Sequence, residues 1–163
     1  MQFTTDFKDA IEHHYQQLSN LPNDLIHQKP APGKWSPIEI LGHLVDSACN
    51  NHRRFTIAQW QENMVFDGYQ QNNWVQYQQY QQADWQHLLG FWRLYNLHIC
   101  RIMENTPLEK LKNEVKEHNL HQIAMVTVPK DQSVTLEYFM KDYIFHIEHH
   151  MKQIYYLSDS TGD

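Results

Sequence analysis

The chain of 163 residues has the size of one domain, one that buries roughly 70% of the surface its unfolded form exposes. Its 41% hydrophobic and 13% aromatic content, with five Trp, nine Tyr and seven Phe, excludes the disordered, fibrous and collagen-like classes. Thirteen Lys plus Arg against nineteen Asp plus Glu give a net charge of -6, and no basic stripe follows the spacing of phosphates, which argues against nucleic acid as a partner.

In chain order, the first apolar stripe, Phe7, Ile11, His14 or Tyr15, and Leu18, predicts a helix over about Thr5 to Ser19. Pro22, Pro30, Pro32 and Gly33 then form a loop. Ser36-Pro37-Ile38-Glu39 combines a capping box with proline at the first helical position and opens a second helix that reaches about Trp60. From Asn63 to about Gln82 the Gln-, Asn- and Tyr-rich chain reads as a turn at Asp67-Gly68 and partly ordered loop, with Trp74, Tyr77 and Tyr80 as packing contacts. A third helix follows from Asp84 to about Asn105, carrying Leu88, Trp92, Tyr95, Ile99 and Ile102. Between Leu108 and Gln132 the chain reads as irregular, with the β-prone Ile123–Val128 and the turn Pro129-Lys130-Asp131 allowing a short hairpin. The last helix, about Thr135 to Leu157, places Leu136, Met140, Tyr143, Ile144, Ile147, Met151 and Ile154 on one face. Four amphipathic helices that need one another to bury their faces form a four-helix bundle, an all-α fold in one domain spanning 1–163.

No run approaches the ~18 apolar residues of a membrane span, and Met1 to Asp6 lacks the basic start and apolar stretch of a secretory signal. A cytoplasmic protein with no membrane partner is expected. Cys49 and Cys100 have neither disulfide-framework nor zinc-ribbon spacing and read as two buried thiols.

Histidine is the unusual residue, with twelve copies. His146 and His150 lie four apart on the last helix, so their rings share a face and can converge on one ion, or else are ordinary, satisfied histidines at the edge of the core. His43, nearly two turns into the second helix beside Ile40, Leu44, Ala48 and Phe55, can face the same interior. Three imidazoles from two helices would leave one position open on a divalent ion, for which zinc and nickel are the expected choices. His13, His52, His87, His118, His121 and His149 are expected to face water. His14 and His98, nearer apolar stripes, read as core histidines bonded to backbone or as further members of a site. Asp46, one turn after His43, reads as a carboxylate that orients a ligand or takes a proton, or as a solvated surface group.

The segment Gly33-Lys34-Trp35-Ser36-Pro37-Ile38-Glu39-Ile40-Leu41-Gly42-His43-Leu44-Val45-Asp46 resembles the opening motif of the DinB-like superfamily, which includes the YfiT-like metal-dependent hydrolases. Asp142 to Ile154, with His146, His150 and the following Gln153-Ile154, is similar to that family's closing helix. The resemblance runs along nearly the whole chain. It implies an up-down-down-up bundle, usually homodimeric, with His43, His146 and His150 as ligands of a divalent metal and a hydrolase or thiol S-transferase reaction on a small molecule, in some members with a low-molecular-weight thiol. Two hypotheses follow: a metalloenzyme in which the ion activates water or a thiol, and a non-catalytic metal-binding stress-response or interaction module. A closed fourth protein ligand would favour the module.

Overall fold

The computed structural model describes residues 1–159. Along the chain run α1 (Gln2–Ser19), α2 (Asn23–Ile26), α3 (Pro37–Ile57), α4 (Gln71–Tyr77), a 3-10 turn over Tyr80–Gln82, α5 (Trp85–Glu104), α6 (Leu108–Lys112), β1 (Glu114–Val115), α7 (Leu120–Ile123), β2 (Val134–Thr135) and α8 (Leu136–Asp159). The four long helices form the bundle, with α1 and α3 each packed between α5 and α8.

Cross-helix contacts fix the directions. Trp85 Nε1 at the start of α5 donates to the Leu18 carbonyl at the end of α1, 3.1 Å away, and Cys100 Sγ near the end of α5 donates to the Thr4 carbonyl, so these helices are antiparallel. His43 meets His150 with ring centroids 4.7 Å apart, and Phe55 meets Phe139 at 5.5 Å, so α3 runs antiparallel to α8. Phe7 against Tyr143 and His14 against Tyr155 make α1 parallel to α8. The order is therefore up, down, down, up, a four-helix bundle whose successive long helices α1 and α3 lie on a diagonal.

The predicted stripes supply the core, although Tyr95, Ile102 and Ile144 are only half-buried against it. Phe7, Ile11 and Leu18 of α1, Ile40, Leu44, Ala48 and Phe55 of α3, Leu88, Trp92 and Ile99 of α5, and Met140, Tyr143, Ile147, Met151 and Ile154 of α8 are all buried. Each large side chain withdrawn in this way contributes about 1.5–3 kcal/mol. Helix α3 starts where its capping box predicts: the Ser36 amide donates to Glu39 Oε2 at 2.9 Å, and Lys29 pairs with the other carboxylate oxygen at 2.7 Å.

Several expectations are corrected. The stretch 63–82 is more ordered than a loop, because α4 and the 3-10 turn lie within it. Val75 is the one buried residue of α4, so no periodic stripe marks it in the sequence. Tyr80 is buried as expected, but Tyr77 is 80% exposed. The strand pair lies at Glu114–Val115 and Val134–Thr135, not at Ile123–Val128. The amides of Met125 and Val126 instead donate to the Asp142 carboxylate, at 2.9 and 2.7 Å, and so have no strand partner. His118 does not face water: it is buried, with Nε2 on the Gln132 carbonyl and Nδ1 accepting from the Leu120 amide, and thereby ties the insertion together. Of the two cysteines only Cys100 is buried, since Cys49 lies on the outer side of α3. His14 is a core histidine, held by the Tyr155 hydroxyl at 2.7 Å and Glu148 at 2.9 Å. His98 is exposed and lies against the half-buried His52, ring centroids 5.1 Å apart.

Gly42, next to His43, has a packing role. A Cβ there would overlap the Tyr80 ring, which lies across the helix backbone to reach Asp46. Gly42→Ala should therefore lower stability by about 1–3 kcal/mol, the usual cost of overpacking, against the gain in helix propensity that alanine brings elsewhere. An unchanged or raised urea midpoint for this variant would contradict the close approach.

Candidate metal centre

Antiparallel packing of α3 on α8 brings His43 opposite the turn that carries His146 and His150. One ring nitrogen from each of the three lies within 4.8 Å of the other two. His43 is fully buried and the other two are half-buried. Nε2 of His43 lies 3.2 Å from Nε2 of His146. Two nitrogens bound tetrahedrally to one ion at ~2.05 Å lie roughly 3.3 Å apart, so this spacing suits a shared divalent ion.

Surrounding residues hold the rings. Trp35 and Tyr69 flank the His43 ring, with centroids 4.9 and 6.5 Å away. His150 Nδ1 faces Gln153 Oε1 at 2.8 Å, an acceptor that keeps the proton on Nδ1 and the lone pair on Nε2. His146 Nδ1 lies 3.4 Å from Ser47 Oγ, which leaves its Nε2 directed at the cluster. Ring nitrogens that bind metal commonly hold their other N–H in this way.

Burial keeps the cluster uncharged. It lowers the pKa of His43 from 6.5 to about 3, helped by neighbouring His150, and that of His146 to about 2, helped by His150, His43 and His149. His150 is also shifted down, by burial first and by His149 second, although its bond to Gln153 opposes the shift. Neutral imidazole is the form that binds metal.

Asp46, read from the sequence either as a helper or as a solvated group, is only 2% exposed. Its Oδ1 accepts from Gln78 Nε2 and from the Tyr80 hydroxyl, both at 2.7 Å. Burial raises its pKa while these two bonds oppose the rise. Its Oδ2 and the Nδ1 of His43 are both buried without a hydrogen-bond partner, three residues apart on one helix. An unmatched acceptor thus sits one turn from an unmatched ring nitrogen.

Two cavities adjoin the cluster. The larger, about 650 Å³, is bordered by Trp35, Ile40, Tyr156, Leu157 and His150. The smaller, about 260 Å³, is lined by Ser47, Asn51, Arg54 and Tyr69 beside His146 and His150. Its polar lining makes it the better place for chemistry, despite its size. His149 borders both cavities from an exposed position and is not one of the three convergent nitrogens. The sequence assigns no role in the site to Ser47, Asn51, Arg54 or Tyr69, and Gln153 enters there only as part of the closing-helix motif. The signal for the first three was their spacing from His43, at four, eight and eleven residues, which repeats one helical face in polar residues.

The site carries a pH dependence in the metal-free protein. Unfolded histidine takes up a proton near 6.5, but folded His43 and His146 do so only near 3 and 2. Between those values the unfolded chain binds more protons, so stability is full above about pH 6.5 and is lost as pH falls below it. Urea midpoints should decline from pH 6.5 towards 4.5, with a shallower slope in His146→Gln. Equal slopes for the two proteins would contradict the buried, neutral assignment.

Comparison with known proteins bears on the fold and the family. A solved structure from Bacillus subtilis, described as "YfiT from Bacillus subtilis is a probable metal-dependent hydrolase with an unusual four-helix bundle topology", superposes with a TM-score of 0.79 at 18% sequence identity, covering 99% of this chain and 87% of that one. At that identity the likeness establishes the shared fold. No curated protein sequence matches the chain significantly. The family model described as the DinB superfamily matches residues 7–154, including all three clustered histidines, and the chain belongs to that superfamily.

Proposed function

We propose that the protein is a metal-dependent enzyme in which His43, His146 and His150 hold one divalent ion, zinc or nickel by the preference of imidazole donors, and water or a low-molecular-weight thiol acts on a small-molecule substrate. The observation that carries this reading is the convergence of three neutral imidazoles beside a polar cavity, with no fourth His, Cys, Asp or Glu joining them among the described residues. Structural zinc sites close with four protein ligands, whereas three leave a position for a reactant. When bound, such an ion supplies Lewis acidity, which draws the pKa of water towards ~7 or stabilises a thiolate. The description of the Bacillus subtilis protein as a probable metal-dependent hydrolase supports the hydrolytic form of the reaction.

The chain's own residues position and protect. Trp35 and Tyr69 flank the His43 ring, Gln153 fixes the tautomer of His150, Ser47 occupies the outer nitrogen of His146, and burial excludes competing protonation. Asp46 is a positioning residue in this scheme, its Oδ2 serving the Nδ1–H of His43 through one intervening water.

Protein purified without an affinity tag should contain about one divalent ion per chain. His146→Ala and His150→Ala should each abolish it, and His149→Ala should leave it in place. Asp46→Asn keeps an acceptor for Gln78 and Tyr80 but can turn a donor towards His43, so metal affinity should fall about 10–100-fold. Elemental analysis and competition with a chelator measure both effects. Full metal content in both single histidine variants would remove the site.

The homodimer is proposed on the family resemblance and on exposed apolar residues of α5, Phe91 at 53% and Leu94 at 61%. Light scattering should give twice the chain mass at micromolar concentration. A single-chain mass would count against association.

A further inference from the structure

Arg54 lies at the far end of the polar face that begins with His43 and continues through Ser47 and Asn51. It is only 5% exposed and lines the same 260 Å³ cavity as His146 and His150. One of its nitrogens, Nη2, donates to the Asp67 carbonyl at 2.7 Å. Among the described residues no carboxylate forms an ion pair with it. A guanidinium has five N–H donors, and although the Asp67 charge acts on Arg54 from a distance, no carboxylate meets those donors directly, so an anion that entered the cavity would complete the arrangement.

The one carboxylate of the cavity forms no ion pair with Arg54. Asp142, its one lining carboxylate, already accepts from the amides of Met125 and Val126 through its two oxygens. Tyr69, also on the wall, is held protonated by burial, which pushes its phenol well above the usual range. Burial also presses the Arg54 pKa down, but arginine remains charged at neutral pH. Arg54 therefore keeps N–H donors that no group of the cavity takes up.

We infer that Arg54 is the specificity-determining residue of the site and binds a carboxylate carried by the substrate, at the end of the molecule remote from the group that reaches the three histidines. This rests on the metal-site reading above and adds the substrate class: a small organic acid, or a thiol that carries a carboxylate. Planar, two-pronged recognition is what arginine offers over lysine here. Asn51 and Ser47, between the two ends, would meet the polar middle of such a molecule.

The test uses the full chain in phosphate-free buffer, with and without zinc, and calorimetric titration. The zinc-loaded protein receives 3-mercaptopropionate and 6-mercaptohexanoate, each against its neutral amide. The metal-free protein receives butyrate against butanamide. At least one acid of the thiol pairs, and butyrate in the metal-free protein, should bind about 10–100-fold more tightly than the matching amide, the range for a charge-assisted hydrogen-bonded pair. Arg54→Gln should erase that preference while keeping the zinc content of the wild type. Arg54→Lys retains charge without the fork, so it should keep only part of the preference, and it serves as the readout if the glutamine variant does not fold. Equal binding of acid and amide by the wild-type protein would overturn the inference. So would a preference that survives Arg54→Gln, the mark of carboxylate chelation by the metal itself. Absence of bound zinc defeats the metal reading alone, since butyrate over butanamide in the metal-free protein still decides the role of Arg54.

Discussion

The site depends on one packing contact, the antiparallel face of α3 laid along α8. It sets His43 against a single turn of the opposing helix, and the 3.2 Å separation of two Nε2 atoms follows from it. Three imidazoles in a poorly hydrated space are stable together only when uncharged, so the packing that brings them together also suppresses their protonation. The up-down-down-up order is what makes this contact available, because it places the second and last long helices side by side.

Around that contact the structure divides polar from apolar. Trp35 belongs to both domains of influence: it flanks the His43 ring and also borders the 650 Å³ cavity with Ile40, Tyr156 and Leu157. On the other side Ser47, Asn51, Arg54 and Tyr69 line the smaller space. A reactant at the clustered histidines would thus have an apolar surface on one side and hydrogen-bonding groups on the other, an asymmetry that orients a small molecule before any reaction. Asp46 joins this division to the fold, since the Tyr80 hydroxyl that it accepts belongs to a ring seated over Gly42.

The long helices and three clustered histidines were legible in the sequence because both depend on helical phase. Stripes at three- and four-residue spacing located the core of α1, α3, α5 and α8, and the same geometry put His146 and His150 on one face. Helical phase also turned His43 to the same interior, and the resemblance in the two end motifs implied the same three ligands. What escaped the sequence was tertiary. Tyr69 reaches His43 from a segment without periodicity, α4 buries Val75 alone, and His118 is enclosed by backbone groups of an insertion whose course no pattern encodes. Arg54 was passed over for a different reason: charged residues usually face water, so its place on the buried face of α3 appears only once the cavity is seen.

The central claim is that these three imidazoles ligate one ion and leave a place for a reactant. X-ray absorption on the zinc-loaded protein measures this directly. Three imidazole nitrogens and one further light atom, all at about 2.0–2.2 Å, are the predicted coordination. A sulfur shell near ~2.3 Å, or fewer than three imidazoles, would contradict it.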